Sequence, residues 1–309
     1  MQPLIKRLFL FCVFFVVLQA CLFVLFKTKH KFIGSKDYYS KEFNAAFTNL
    51  DFDVIAIGNS KQLASFDKPI FEEATHLKTA NLGCYTASIS LSRLTLESYL
   101  EQAVKKPQFI FLEVSWFTFN NNRTVLHDLS GDLLLQNPSL LRYSLRYWPL
   151  FAKNYTSAVL NQLYIYKNPS NEDFSFRIKA KSPLVKTYAF NKAEFETAFP
   201  SHMAGVDPVL YEDFLQIQLL CIQNGIKLIL YTAPEDRDYS LMQFDHERVK
   251  QIFKNTVKRS NNFAYFDYTL GGKFYDPRFE LWLNDSHHIN NRGLFTRKFI
   301  EDIGYLLKN

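Results

Sequence analysis

Short, uninterrupted runs of apolar residues recur along this 309-residue chain, and turn residues end them. The clearest run is Val54-Ile55-Ala56-Ile57, which Gly58-Asn59-Ser60 ends. A strand that is apolar on both faces is typical of a parallel sheet covered by helices on both sides. Further strands of this kind are expected at residues 78–82, 109–114, 226–231 and 263–266.

Segments with helical spacing alternate with these strands. The pattern predicts helices at about 88–104, 210–223, 245–258 and 293–307. Alternating strands and helices predict an α/β fold, a three-layer α/β/α sandwich around a central parallel sheet. We assign this domain to residues 50–309. Residues 120–207 interrupt the alternation and are interpreted as an insertion of unassigned role.

The amino terminus carries a candidate membrane anchor. Residues 8–26 are nineteen consecutive residues without a charge, which as a helix would extend roughly 28 Å. They follow a leader at 1–7 and precede a linker at 27–49. Lysine and arginine flank both ends, so their positions alone do not fix the orientation. We expect a signal anchor that places the soluble domain outside the cytoplasm; lipidation of Cys21 is the alternative.

The overall charge gives little support to nucleic-acid binding. The 36 Lys and Arg residues against 30 Asp and Glu give a net charge of +6, but the basic residues are scattered. We predict no nucleic-acid partner and no cofactor. The aromatic content of 17% indicates a folded, densely packed domain.

Ser60 is the first residue with candidate chemistry. It follows the first predicted strand, and the carboxyl ends of parallel strands are where open α/β sheets place their ligand sites. If a helix begins there, its amide groups can stabilise the anionic oxygen that forms in acyl transfer. An ordinary turn serine explains the same residues.

The second candidate segment is Asn284-Asp285-Ser286-His287-His288, just before the last predicted helix. A serine hydroxyl needs a base to take its proton, and that base needs a carboxylate that orients it. His288 and Asp285 can supply both, with His287 as the less favoured base. Two other interpretations stay open: a polar loop that caps the helix, and a metal site formed by Asp285, His287 and His288.

These blocks, together with Asn81-Leu82-Gly83, resemble the SGNH (GDSL-like) hydrolase superfamily over roughly residues 50–118 and 208–309. The layout is similar to the membrane-anchored branch that includes alginate O-acetylation and lipoteichoic-acid D-alanylation factors. The resemblance implies a flavodoxin-like fold with Ser60 as nucleophile, His288 as base and Asp285 as its partner. It also implies that the Ser60 and Gly83 amides form the oxyanion hole. Asn59 and Asn81, in the same two blocks, are further candidate site residues.

One family feature is missing. The family's third block usually supplies an asparagine to the oxyanion hole, but this chain has Glu113-Val114-Ser115-Trp116-Phe117 there. Either Ser115 or one of Asn120, Asn121 and Asn122 replaces it, or the activity is slow. From the resemblance as a whole, we expect a serine esterase or O-acyltransferase that acts on a surface polysaccharide, with a membrane-bound O-acyltransferase as a candidate partner. The alternative is a non-catalytic module that binds glycan or such a partner.

Overall fold

The computed structural model describes residues 50–84, 87–120, 190–198, 205–243, 245–283, 288–289 and 291–308, together with positions 6, 10, 11, 13 and 14. The chain divides into two compact units. One comprises Met1–Lys36 with Leu129–Glu172, and the other comprises Asp37–Asp128 with Asp173–Asn309. The second unit contains every strand and helix named below.

Strands and helices alternate along this second unit. In chain order they are β1 (Val54–Ile57), α1 (Ser60–Ser65), α2 (Lys68–Thr75), β2 (Thr79–Asn81), α3 (Ile89–Gln102), β3 (Phe109–Glu113), α4 (Lys192–Ala198), α5 (Pro208–Gln223), β4 (Lys227–Thr232), α6 (Arg237–Leu241), α7 (His246–Val257), β5 (Phe263–Asp267), a 3-10 helix (Pro277–Trp282) and α8 (Arg292–Leu307).

The five strands form one parallel sheet in the order β2-β1-β3-β4-β5. This is the flavodoxin-like strand order, which reverses direction between β1 and β3. The prediction of a central parallel sheet is therefore confirmed, and each predicted strand overlaps an observed one. Because the strands are parallel, the carboxyl ends of β1, β3 and β4 meet at the same edge.

Aromatic residues dominate the core on one face of the sheet. Phe111 of β3 packs edge-on against Phe71 of α2 and Phe299 of α8, with ring centroids 5.4 Å apart in both pairs. The ring of Tyr231 in β4 packs at a tilt against the same Phe299, with centroids 4.9 Å apart. These contacts hold the last helix of the chain against the strands, and they place its start beside α1 and α2.

The opposite face of the sheet is covered too. Ile55, Ile110 and Leu228 alternate with the residues of the aromatic face, and each is fully buried. Helix α5 contacts β4 and packs along α3. A sheet with helices on both faces explains why its strands are apolar on both sides rather than alternating.

The helices were predicted less completely than the strands. Helices α3, α5, α7 and α8 lie where helical spacing predicted them. The short helices α2 and α6 and the 3-10 helix were not anticipated. A proline lies in the first turn of α2. In the sequence, this proline indicates a turn, although proline is also common in the first turn of a helix.

Two sequence predictions fall largely on residues that the structure does not describe. Most of the proposed anchor, residues 8–26, lies outside the described positions, as does most of the insertion at 120–207. Within the part of the chain that is described, no helix is long and apolar enough to cross a bilayer.

The packing of α8 generates a stability prediction. Phe299→Ala removes a fully buried ring that contacts β3 and β4, so we expect the free energy of unfolding to fall by about 3–5 kcal/mol. Arg297→Ala, on the exposed side of the same helix, should change it by less than about 0.5 kcal/mol. Denaturant unfolding followed by circular dichroism measures both, and equal losses would contradict this description of the core.

Candidate active site

Ser60 lies directly beyond the carboxyl end of β1, at the first position of α1. Gly58 makes the turn with φ of +149°, a backbone conformation that residues with a Cβ rarely adopt. Asn59 caps the helix, because its side-chain oxygen accepts a hydrogen bond from the Lys61 amide at 2.8 Å. The sequence Gly-Asn-Ser therefore makes the turn, caps the helix and presents the hydroxyl.

His288 comes from the far end of the chain. Its Nε2 lies 2.9 Å from Ser60 Oγ, within hydrogen-bonding distance, although 228 positions separate the two residues. Ile289, the residue after His288, forms an antiparallel bridge with Leu283. Asn291 then caps α8 by accepting a hydrogen bond from the Leu294 amide at 3.2 Å. Ser60 and His288 are both partly exposed, so solvent reaches the pair.

The structure thus brings together two of the three residues of the predicted triad. Asp285 and His287 lie outside the described residues, and their roles stay predictions. The alternative of a metal site depends on those same two residues. Among the residues that the structure does describe, no cluster of three or more histidine, cysteine or acidic side chains could hold a metal ion.

The predicted oxyanion donors have other partners here. The Gly83 amide donates to Asn81 Oδ1 at 3.1 Å. Ser115 is fully buried, and its hydroxyl donates to Glu113 Oε1 at 2.6 Å. The Ser115 amide donates to Thr118 Oγ1 at 2.8 Å. Both residues would need new hydrogen-bond geometry to reach a substrate oxygen, so their predicted roles stay predictions.

A buried group of charges lies directly next to Ser60. The Lys61 side chain is completely inaccessible to solvent, and its ammonium group forms a short ion pair with Glu235, which follows β4. Glu113, the last residue of β3, has its nearer oxygen 3.8 Å from the same ammonium group. Lys61, Glu113 and Glu235 are called the buried charge cluster below.

The side chain of Gln62, the residue after Lys61, is also directed into the protein. Gln62 is fully buried, and its Oε1 accepts a hydrogen bond from the Tyr231 hydroxyl of β4 at 2.5 Å. That hydroxyl also lies 3.1 Å from Ser65 Oγ at the end of α1. Helix α1 therefore directs polar side chains into the protein and contacts two neighbouring strands through them.

The two carboxylates of the cluster differ in their surroundings. Glu235 accepts hydrogen bonds from Lys61, from Ser240 Oγ at 3.3 Å and from Gln243 Nε2 at 2.5 Å. Glu113 Oε1 accepts from Ser115, whereas its Oε2 has no hydrogen-bond partner among the described residues. Burial raises the pKa of Glu113, and the negative charge of Glu235 acts in the same direction. Lys61, the Ser115 hydrogen bond and His288 oppose this shift in pKa but do not cancel it.

Sequence reasoning missed the buried charge cluster. Lysine and glutamine after Ser60 are typical of an exposed helix, and Glu235 follows an unremarkable Ala-Pro pair. One signal was present: Glu113 ends an otherwise apolar strand at the edge where parallel strands converge. A carboxylate at that position requires a buried cation or hydrogen-bond donor nearby, because an isolated buried charge is strongly unfavourable.

The comparisons with known proteins find distant similarity at the level of structure. No protein-family model matches this sequence, and no curated protein matches it either. It is similar to the crystal structure of a protein from Bacteroides fragilis NCTC 9343 described as a "putative acylhydrolase". The two chains share 11% identity with a TM-score of 0.40, over 86% of this chain and 96% of that one. The chemistry of the site is therefore inferred from the side chains of this chain.

The Gly58 turn generates a prediction for stability. A Cβ at position 58 would lie 2.9 Å from the Glu113 Cβ and 3.0 Å from the Gln62 Cβ, in addition to the unfavourable φ. We expect Gly58→Ala to lower the free energy of unfolding by about 2–4 kcal/mol. Gly225→Ala is the matched control, because Gly225 also has positive φ but no atom within 4 Å of its added Cβ. Denaturant titration of both should give the larger loss for Gly58→Ala; the reverse order would contradict the close approach.

The raised pKa of Glu113 generates a pH prediction. A carboxyl group whose pKa is higher in the folded state binds more protons when folded, so its protonation contributes to the free energy of unfolding at low pH. The wild type loses this stabilising contribution as pH rises from about 4.3 through the folded pKa. Glu113→Gln removes the titration. We therefore expect the stability of Glu113→Gln relative to wild type to improve as pH increases over this window, measured by denaturant unfolding at several pH values. A pH-independent difference would show that the Glu113 pKa is the same in both states.

Proposed function

We propose that this chain is a serine-dependent enzyme of the SGNH type that acts on acyl esters, as an esterase or an O-acyltransferase. The observation that supports the proposal is the 2.9 Å distance between Ser60 Oγ and His288 Nε2. A serine beside a histidine nitrogen, partly open to solvent at the carboxyl edge of a parallel sheet, has the geometry of an activated nucleophile.

In the proposed reaction, His288 accepts the Ser60 proton while Ser60 Oγ attacks the acyl carbonyl carbon. The resulting oxyanion collapses and expels the alcohol, which takes the proton from His288 and leaves an acyl group on Ser60. Water or a sugar hydroxyl then attacks the acyl carbon while His288 takes its proton, the bond between the acyl carbon and Ser60 Oγ breaks, and the proton returns from His288 to Ser60. Hydrolysis and transfer differ in the acceptor of the acyl group.

Two further groups complete the proposed mechanism. Asp285 would orient His288 and stabilise its protonated form, as the Asp-x-x-His spacing suggests. The Ser60 amide stands at the first position of α1, where helix geometry leaves N–H groups without intrahelical acceptors. That amide is the proposed first donor to the oxyanion, and Gly83 would be the second if its bond to Asn81 opens.

The substrate and location are proposed from the sequence. The apolar run at 8–26 would anchor the enzyme in a membrane with its domain outside the cytoplasm. An O-acyl group on an exported or surface polysaccharide is then the proposed substrate. The resemblance to alginate and lipoteichoic-acid factors suggests a membrane-bound O-acyltransferase as a partner.

A second function competes with catalysis. The Gly83 amide and the Ser115 hydroxyl both have acceptors inside the protein, and the family asparagine is absent. Loss of one oxyanion donor typically costs about 2.7–4 kcal/mol of transition-state stabilisation. These observations favour a non-catalytic module that binds glycan or a membrane partner through the same edge.

Covalent labelling separates the two functions. A fluorophosphonate probe should modify the wild-type protein at Ser60, as located by peptide mass spectrometry, because the probe needs an activated serine. Ser60→Ala should abolish the label and His288→Ala should slow it by several orders of magnitude. Ser260→Ala, in the loop before β5, is the matched control and should label at the wild-type rate. An unlabelled wild type would favour the binding module.

A further inference from the structure

Lys61 is an unusual neighbour for a candidate nucleophile. Its side chain is fully buried, and it reaches two carboxylates from different parts of the sheet: Glu113 at the end of β3 and Glu235 after β4. Its backbone amide donates to the Asn59 side chain. The residue next to Ser60 is thus fixed at both its backbone and the end of its side chain.

Stability alone is a weak reason for such a cluster. Removing two charges from water is expensive, and replacing a buried ion pair with apolar residues of similar volume is often neutral or stabilising. Apolar side chains fill comparable positions in this sheet, as Phe111 and Leu112 of β3 show. In some proteins a buried polar or ionic group instead selects one geometry for the groups attached to it.

Resting on the proposed function, we propose that Lys61 is a positioning residue for Ser60. Its ammonium group, held by Glu235 and Glu113, fixes the first turn of α1 so that the Ser60 hydroxyl stays in line with His288. Lys61 has no exposed side-chain surface, and it acts through the backbone that it shares with Ser60 rather than by contact with substrate.

The attachment points support this role. Without the lysine anchor, the start of α1 would be held by the Asn59 cap and by the Gln62 bond to Tyr231. Neither of these bonds reaches β3. The anchor at Glu113 connects α1 to the central strand of the sheet, which also contacts Gly58: a Cβ on Gly58 would lie 2.9 Å from that of Glu113. Displacement of a reacting atom by about 1 Å can lower a rate by 10²-fold, so loss of this anchor is expected to slow the reaction at Ser60.

Lys61→Met tests the anchor but leaves two buried carboxylates without their cation, which is expected to destabilise the fold strongly. The double variant Lys61→Met/Glu235→Gln removes both partners of the ion pair, and we expect it to recover most of that stability. The proposal predicts that the double variant still labels with fluorophosphonate about 10- to 100-fold more slowly than wild type. Lys61→Arg, which keeps the cation, should recover part of the labelling rate in an otherwise wild-type protein.

A second buried ion pair provides the control. Lys250 of α7 and Asp267 at the end of β5 form a pair at 2.9 Å, with side-chain exposures of 5% and 6%. The double variant Lys250→Met/Asp267→Asn perturbs the same edge of the sheet at a comparable depth. It should change the free energy of unfolding but leave the labelling rate of Ser60 at the wild-type value.

The measurements are the second-order rate constant of labelling and the free energy of unfolding, on the full chain in detergent. Slow labelling of Lys61→Met/Glu235→Gln beside a normal rate for the control double variant is the expected result. Wild-type labelling by Lys61→Met/Glu235→Gln would overturn the positioning role and leave the proposed function intact. Equal slowing in both double variants would also overturn it, because the slower labelling would then reflect a general loss of structure at this edge of the sheet. An unlabelled wild type would overturn the proposed function and this inference with it.

Discussion

The docking of α8 against the sheet is the interaction on which the site depends. Phe295, Phe299 and Ile303 bury this helix in the aromatic core, and its start is tied to α2 through Asp67. His288 lies four positions before the first residue of α8. One hydrogen bond between Ser60 and His288 contributes about 0.5–1.5 kcal/mol, too little to close a loop of 228 residues. Burial of aromatic rings is the larger effect, and the proximity of the two side chains follows from it.

The parallel sheet supplies the second part of the arrangement. Its strands end at one edge, so the side chains that follow β1, β3 and β4 meet whatever their distance in sequence. Ser60, Glu113 and Glu235 come together in this way. An antiparallel sheet would divide these positions between two edges. The strand order therefore accounts for the convergence of these polar residues beside a core of aromatic and aliphatic side chains.

Sequence patterns predicted the parts of this structure that local chemistry determines. Val54-Ile55-Ala56-Ile57 indicated a buried strand and Gly58 a tight turn, and the pairing of Ser60 with His288 was expected from the chemistry of nucleophile and base. The orientation of α1 was not predictable in this way. Whether Lys61 faces solvent or the interior depends on carboxylates 52 and 174 positions away in the chain. A local sequence pattern does not show which residues so far apart will meet.

The distribution of hydrogen bonds within the charge cluster bears on how the site could stabilise charge. Glu235 has a cation and two neutral donors, whereas Glu113 has one hydroxyl donor and a raised pKa caused by its burial. The raised pKa means that burial disfavours the charged form of Glu113, which lies in the same cluster as Lys61, the residue next to Ser60. A negative charge fixed there would oppose the oxyanion that develops in acyl transfer, and low dielectric would strengthen that opposition. Burial of Glu113 without a full set of hydrogen-bond partners is unfavourable for folding, but the same burial disfavours a negative charge near the place where a new one would form.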